Sequence, residues 1–224
     1  MEIKNPLYKN QGIHAIVSLL TVSENKFKVL LIKRKKEPFK DYWCLLGGAV
    51  YNNETLEIAV LRELEEKSGI KNVKPDMFGM FSKPDRAKET GFRMLGIGYL
   101  ALVDNSAINF IKDSTKTTDI MWWDIDKIPD LAYDHKDILE SSIEYLKKQI
   151  FKSDIIKSLF PKYVTIPELQ KAYETILGKS FDRRNFRKKM LSIGLISDTG
   201  LFQNNGKKPA KLYLINEIKE EINL

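Results

Sequence analysis

The 224-residue chain contains one cysteine, Cys44, and two histidines, His14 and His135. An internal disulfide and a cysteine-based zinc cluster are therefore both excluded. Cys44 lies in the apolar run YWCLL and reads as a core residue, and no Cys/His/Asp nucleophile system stands at a recognisable spacing. No apolar run approaches the ~18 residues of a membrane span, so no membrane partner is expected. The start, MEIKNPLYKNQG, lacks the basic flank, apolar segment and small-residue cleavage site of a secretory signal, and a cytoplasmic protein is expected. Internal repeats, low-complexity tracts and a Pro/Gly-rich linker are also missing, so any junction between modules must be short. What is present, 43% hydrophobic and 10% aromatic residues, suffices for one or two ordinary cores.

The net charge of +7 is unevenly placed. Residues 151–224 hold 14 Lys and Arg against 8 Asp and Glu, or +6, which leaves 23 against 22, or +1, for residues 1–150. Such asymmetry points to two modules, 1–150 and 151–224, the smaller suited to a polyanion; a basic third can also be simply a solvated surface.

In the first module, 14–22 and 27–33 are β-branched or apolar runs around the polar turn Ser23-Glu24-Asn25-Lys26, the pattern of a hairpin. Residues 43–46 lead into Gly47-Gly48. Further strands are expected over 76–82, 93–103 and 120–124, and a helix over 136–149. Strands, helix, strands and helix describe a mixed α/β sandwich rather than a doubly wound sheet.

The segment GAVYNNETLEIAVLRELEEKSGI, residues 48–70, carries the chemistry. Nothing in 55–68 breaks a helix, and Leu56, Val60 and Leu64 give it an apolar stripe. Glu63, Glu66 and Lys67 at i, i+3 and i+4 should project from one face. Three carboxylates there would form a hard-oxygen nest for Mg²⁺ or Mn²⁺ beside a diphosphate. Two carboxylates and an ammonium would not, because a fixed positive charge repels the cation; Lys67 can instead pair with Glu63 or reach a phosphate oxygen. The pattern resembles the Nudix box, G-x5-E-x7-R-E-U-x-E-E-x-G-U, with Gly48, Glu54, Arg62, Glu63, Leu64, Glu66, Gly69 and Ile70 in place and Lys67 where the last glutamate belongs.

The second module has a different grammar. Thr165-Ile-Pro-Glu168 is a capping box with an early proline, predicting a helix over about 166–177 that Gly178 stops. After GKSF, Asp182 can cap a second helix over 183–193, with Gly194 beyond it. Strands at 195–197 and 211–215 flank the loop DTGLFQNNGKKPA, and the whole has the sequence shape of a winged helix-turn-helix. Phe186, Met190 and Ile193 should face inward. Arg183, Arg184, Arg187, Lys188 and Lys189 then cover the outer surface. Arginine and lysine neutralise phosphates, arginine and Asn185 can read base edges, and Lys207, Lys208 and Lys211 would make the wing basic. An RNA or protein partner is less favoured, since no aromatic stacking motif accompanies the basic residues.

Taken together, the chain resembles the NrtR-type, Nudix-related transcriptional regulators. The resemblance rests on GG-x5-E-x7-REL-x-E-x2-GI at 47–70, LAYDH at 131–135, LGKSFDRRNFRKK at 177–189 and PAKLY at 209–213. It implies a Nudix α/β/α sandwich with a mixed sheet, followed by a small winged helix. The first domain would be an effector-binding domain for ADP-ribose or a sugar, and a homodimer would grip a double-stranded DNA operator. No cofactor would be required; Mg²⁺ would matter only if hydrolase activity were retained, held by Glu63, Glu66 and the Gly47 carbonyl. That alternative is a Mg²⁺-dependent hydrolase of nucleoside diphosphate-linked compounds. Effector phosphates would meet Arg86 and Arg93, in and after the loop KPDRAKETGFR, although a solvated charged loop is the plain alternative. Phe39, Tyr42, Trp43 and Phe81 could stack on a base or lie in the core. His135 beside Asp134 is expected to be structural.

Overall fold

Glu24 and Asn25 both take left-handed backbone, φ 53° and 59°, and so close a two-residue turn whose twist matches the strands it joins. Those strands are β1, Gln11–Ser23, and β2, Lys26–Arg34. The computed structural model describes residues 11–105, 117–204 and 209–217. Five more strands complete the first sheet: β3 (Trp43–Cys44), β4 (Leu46–Ala49), β5 (Asp76–Phe81), β6 (Arg93–Leu102) and β7 (Thr117–Asp124). The sheet is mixed and seven-stranded; its path runs β3-β2-β1-β6-β5, with β4 paired to β1 and β7 to β2. β4 runs antiparallel to β1 with Ile16 opposite Gly47.

Helix α1, Leu56–Ser68, starts on Thr55, whose hydroxyl accepts the Ile58 N–H, and stops at Gly69 with φ 75°. Its buried face departs from the expected apolar stripe. Val60 and Leu64 are buried, but so are Glu63 and Lys67, while Leu56 is only half-buried. Helix α2, His135–Gln149, buries Ile138, Leu139 and Leu146. The core around the sheet is built from Ile16, Leu19 and Leu20 of β1, Leu30 and Leu31 of β2, Leu45, Leu46, Leu64 and Leu100, each removed from water and contributing ~1.5–3 kcal/mol by the usual measure for such side chains.

The chain divides into two compact units. The described residues within Met1–Leu20, Lys28–Ala101 and Ile108–Glu144 form the first, and those within Thr21–Phe27, Leu102–Ala107 and Tyr145–Leu224 the second.

In the second unit a 3-10 turn, Ile155–Leu159, precedes β8, Tyr163–Thr165. Helix α3, Ile166–Leu177, begins with the expected capping box: Thr165 and Glu168 each satisfy the other's backbone N–H, and proline stands in the first turn. Helix α4, Arg183–Ser192, begins on Asp182, which accepts the Asn185 N–H at 2.9 Å. Strands β9 (Ile196–Gln203) and β10 (Ala210–Ile215) then form a three-stranded antiparallel sheet in the order β8-β10-β9. The short β8 has no counterpart among the expected strands; three residues are too few for a periodic signal. Tyr173 anchors this core. It is fully buried, its hydroxyl donates to the Ile150 carbonyl at 2.7 Å, and its ring lies 5.3 Å from Phe186. Phe186 and Met190 are buried as expected, but Ile193 is 38% exposed. The helix has ended by then: the Ile193 N–H caps the carbonyls of Leu191 and Lys189, and the side chain leaves the buried face.

Candidate functional site

Arg62 is the hub of the box. Its guanidinium forks onto Glu54, with Nε–Oε2 at 2.9 Å and Nη2–Oε1 at 2.6 Å, donates to Glu63 Oε1 at 2.6 Å and to the Ala49 carbonyl at 2.8 Å, and lies 4.1 Å from the Tyr51 ring centre. The bidentate fork is the strong form of this interaction. The Arg62 hydrogen bonds hold the Glu54 carboxyl down at about 2.

The two carboxylates and the lysine are not equally buried. Glu63 is buried; its second oxygen, Oε2, stands 2.9 Å from Lys67 Nζ, which also donates to the Gly47 carbonyl. Glu66 is more open, with a 41% exposed side chain, and its Oε2 lies 3.6 Å from the same Arg62 Nη1 that binds Glu63. The reason is helical pitch: i+4 overlies i more closely than i+3 does, so the sheet covers Glu63 and Lys67 while Glu66 lies at its margin. Gly47, φ 153°, admits no side chain because a Cβ would run into the Ala15 carbonyl of β1. A Cβ on Gly48 would overlap the Glu63 carboxyl group. The two glycines therefore let α1 press its buried acid against β4.

These residues do not suit the Mg²⁺ that an intact box would hold. Of the three donors the sequence offered, two already bind the Lys67 ammonium and the third, Glu66, lies beside the Arg62 guanidinium. Among the described residues no group of three or more His, Cys, Asp or Glu could hold a metal ion.

Beside this knot lies a cavity of about 280 Å³. Its charged lining is Arg34, Lys35, Lys36, Lys67 and Arg86 against Glu37 alone, and His14, His135, Cys44, Thr90 and Tyr133 contribute the rest of its polar wall. Arg86 is the most deeply set: its side chain is 2% exposed, Nε lies 2.8 Å from Asp134 Oδ2 as an ion pair not aligned as a hydrogen bond, and Nη1 has no protein acceptor. A Cβ on Gly96 would strike this guanidinium. Arg34 is fixed by its hydrogen bond to the Pro38 carbonyl, 2.8 Å, and sits 4.9 Å from the Tyr133 ring. His135 Nδ1 accepts the Leu45 N–H at 3.0 Å, so its expected structural role has a concrete form. Burial, then the charges of Arg86, Arg34 and Lys67, push its pKa down to about 3; burial followed by Arg86 and Lys67 pushes His14 down to about 4. Both imidazoles are neutral at pH 7, and burial also raises the Cys44 thiol. The cavity is thus a place for an anion.

Arg86 lines the cavity and Arg93 does not; Arg93 donates instead to the Ser82 carbonyl at 2.7 Å. Phe39, Tyr42, Trp43 and Phe81 are also absent from the lining; Trp43 faces Trp123 at 5.3 Å and Phe81 faces Phe78 at 5.9 Å. Sequence reasoning missed Arg34, Lys35, Lys36, His14 and Tyr133. The run KRKK at 33–36 was the available signal, but nothing in it says that a hairpin turns those residues toward α1.

Two family profiles match the chain. The NUDIX domain matches residues 12–142. The chain belongs to the NUDIX family. Behind the NUDIX domain, residues 156–215 match the NrtR DNA-binding winged helix domain. The chain is 29% identical over 199 residues to the ADPR responsive transcriptional repressor NtrR of Acinetobacter baylyi, spanning 88% of this chain and 79% of that protein. It is 31% identical over 133 residues to the ADP-ribose pyrophosphatase of Methanocaldococcus jannaschii, spanning 59% and 76%. The crystal structure of Shewanella oneidensis NrtR complexed with a 27mer DNA superposes with a TM-score of 0.78 at 28% identity, over 91% of this chain and 93% of that one. The NUDIX domain of the same Shewanella protein, crystallised with ADP ribose, superposes at 0.55 and 28% identity, over 63% and 93%.

In the NrtR-type winged helix domain, α4 exposes Arg183, Arg184, Asn185, Arg187, Lys188 and Lys189. They differ in their commitments. Arg187 Nε donates to the Tyr213 hydroxyl at 2.8 Å, and Lys189 Nζ lies 3.8 Å from the Phe151 ring centre. Lys211 is ion-paired with Asp198 on the neighbouring strand rather than standing as a free wing cation. Lys207 and Lys208 lie outside the described residues.

Proposed function

We propose that the protein is a DNA-binding transcriptional repressor whose NUDIX domain senses ADP-ribose. The observation that carries this reading is the pairing of an exposed basic helix, α4, in a winged helix with a cationic cavity where an intact box would hold metal. Residues 1–150 form the effector domain and 151–224 the DNA-binding domain of a cytoplasmic homodimer that requires no cofactor. Arg183, Arg184, Asn185 and Lys188 meet the operator first, because Arg187, Lys189 and Lys211 already hold partners within their own domain. A two-fold dimer presents two such helices about 34 Å apart, one turn of DNA. ADP-ribose is favoured over a neutral sugar on charge: the cavity is lined by five cations against Glu37, and a diphosphate brings negative charge to it and an oxygen for the Arg86 Nη1 that has no protein acceptor. Effector bound in the cavity lowers operator affinity by favouring one of two states of the dimer.

The test is fluorescence anisotropy with labelled DNA from upstream of the protein's own gene and a scrambled control, over a salt series, with and without ADP-ribose. Selective binding with a steep salt slope and release by ADP-ribose are expected. Equal weak binding to both fragments, repeated on other candidate operators, would reject the regulator. A hydrolase reading draws on the likeness to the ADP-ribose pyrophosphatase and on the surviving Arg62, Glu63 and Glu66. Conversion of ADP-ribose to AMP and ribose 5-phosphate in Mg²⁺ would support it.

A further inference from the structure

We infer that the Lys67 ammonium is a built-in cation, standing where an intact box would place a divalent ion, so that the cavity takes a diphosphate-bearing ligand bare of metal. This rests on the cavity being the effector site.

The position of the ammonium is fixed from two sides. It stands 2.9 Å from Glu63 Oε2 and donates to the Gly47 carbonyl. That carbonyl cannot move freely, because Gly47 is paired with Ile16 in the sheet and has no room for even a Cβ. Nor can Glu63: its other oxygen receives Arg62 Nη1 at 2.6 Å, and its side chain is 1% exposed. A buried carboxylate with a cation on each oxygen is already balanced. A divalent ion brought to it would meet Lys67 and Arg62 at close range in a poorly screened site, and the repulsion opposes entry.

The same ammonium also lines the cavity, as does Arg86, whose deeply buried Nη1 lacks a protein acceptor. A buried guanidinium nitrogen without an acceptor is costly in the empty state and is answered by a phosphate oxygen. A bare diphosphate brings two negative charges to a lining whose cations, Arg34, Lys35, Lys36, Lys67 and Arg86, outnumber Glu37. A magnesium-complexed diphosphate has given up that charge to its metal and brings the metal against Lys67. Magnesium therefore competes with the protein for the ligand rather than assisting it.

Two independent arms test this on the full-length protein. In calorimetry, wild type should bind ADP-ribose as tightly in excess EDTA as in magnesium, or more tightly. Lys67→Glu should lose about tenfold or more in EDTA and recover in magnesium; Lys67→Gln, with the charge removed and a polar group one atom short of the ammonium, should lose affinity in both buffers. In the second arm, Mn²⁺ electron paramagnetic resonance on ligand-free protein should detect no bound ion on wild type and one on Lys67→Glu. A wild type whose ADP-ribose binding requires magnesium, or that binds Mn²⁺ without ligand, overturns the inference. If ADP-ribose binds under no condition, the effector reading fails, and the Mn²⁺ arm still decides what Lys67 does.

Discussion

Acid should destabilise the NUDIX domain through its cavity histidines before any carboxylate titrates. His135 titrates near 3 when folded and near 6.5 when unfolded, so between those values the unfolded chain binds the extra proton and stability falls as pH falls. The loss at about pH 5, relative to neutrality, is about 2 kcal/mol for this one group, since each unit of separation is worth about 1.4 kcal/mol. That is a large share of a typical domain's ~5–15 kcal/mol. His14, held down to about 4 and half-buried, adds in the same direction by a smaller amount. Glu54, held at about 2, adds only below its ordinary 4.5, leaving the interval from about 6.5 to 5 to the histidines. The assay is urea unfolding followed by tryptophan fluorescence, because Trp43, Trp122 and Trp123 all belong to the first unit. His135→Asn keeps an acceptor for the Leu45 N–H and cannot titrate. Its stability should fall by about 2 kcal/mol less than that of wild type over the same interval. A wild-type midpoint unchanged from pH 7.5 to 5, or a variant with the full wild-type loss, would refute the account of a neutral His135 held by burial and its cationic neighbours.

Other perturbations separate the two domains. The pair Arg184→Ala and Lys188→Ala should weaken operator binding and lower the salt slope by about 0.9 for each phosphate left without its cation; undiminished anisotropy would remove α4 from its recognition role. Lys189→Ala should act mainly on stability, by roughly 0.5–1 kcal/mol once no ammonium lies over the Phe151 ring, read as a lower thermal midpoint. Gly48→Ala should cost about 1–3 kcal/mol in urea unfolding, because the new methyl displaces Glu63 from Arg62 and Lys67. Arg86→Ala should abolish release of DNA by ADP-ribose while leaving effector-free operator binding intact, as measured by the same anisotropy titration.

The sequence by itself determined most of the elements, though not β8 or the full length of β9, and the division of labour. Local signals are enough for that: the Thr165–Glu168 capping box, Asp182 ahead of α4, the polar turn at 23–26 and the charge imbalance of the last third are each readable within a few residues. The box could be seen to lack a glutamate for the same reason. What the sequence could not supply was the partner of each charge. Lys67 reaches Gly47 and Lys211 reaches Asp198 across strands whose register no local pattern encodes, and Arg86 meets Asp134 only because the loop before β6 and the start of α2 converge on one cavity. Arg93, equally basic and nearby in sequence, takes a backbone carbonyl outside it. Glu66 shows the limit most plainly: spacing put it beside Glu63, yet Glu63 is buried while Glu66, against the same Arg62, keeps a side chain 41% exposed. Periodicity fixes which side of a helix a residue occupies. Burial and hydrogen-bond satisfaction, which depend on every neighbouring element at once, decide whether its charge is held by the protein, buried against a ligand or left in water.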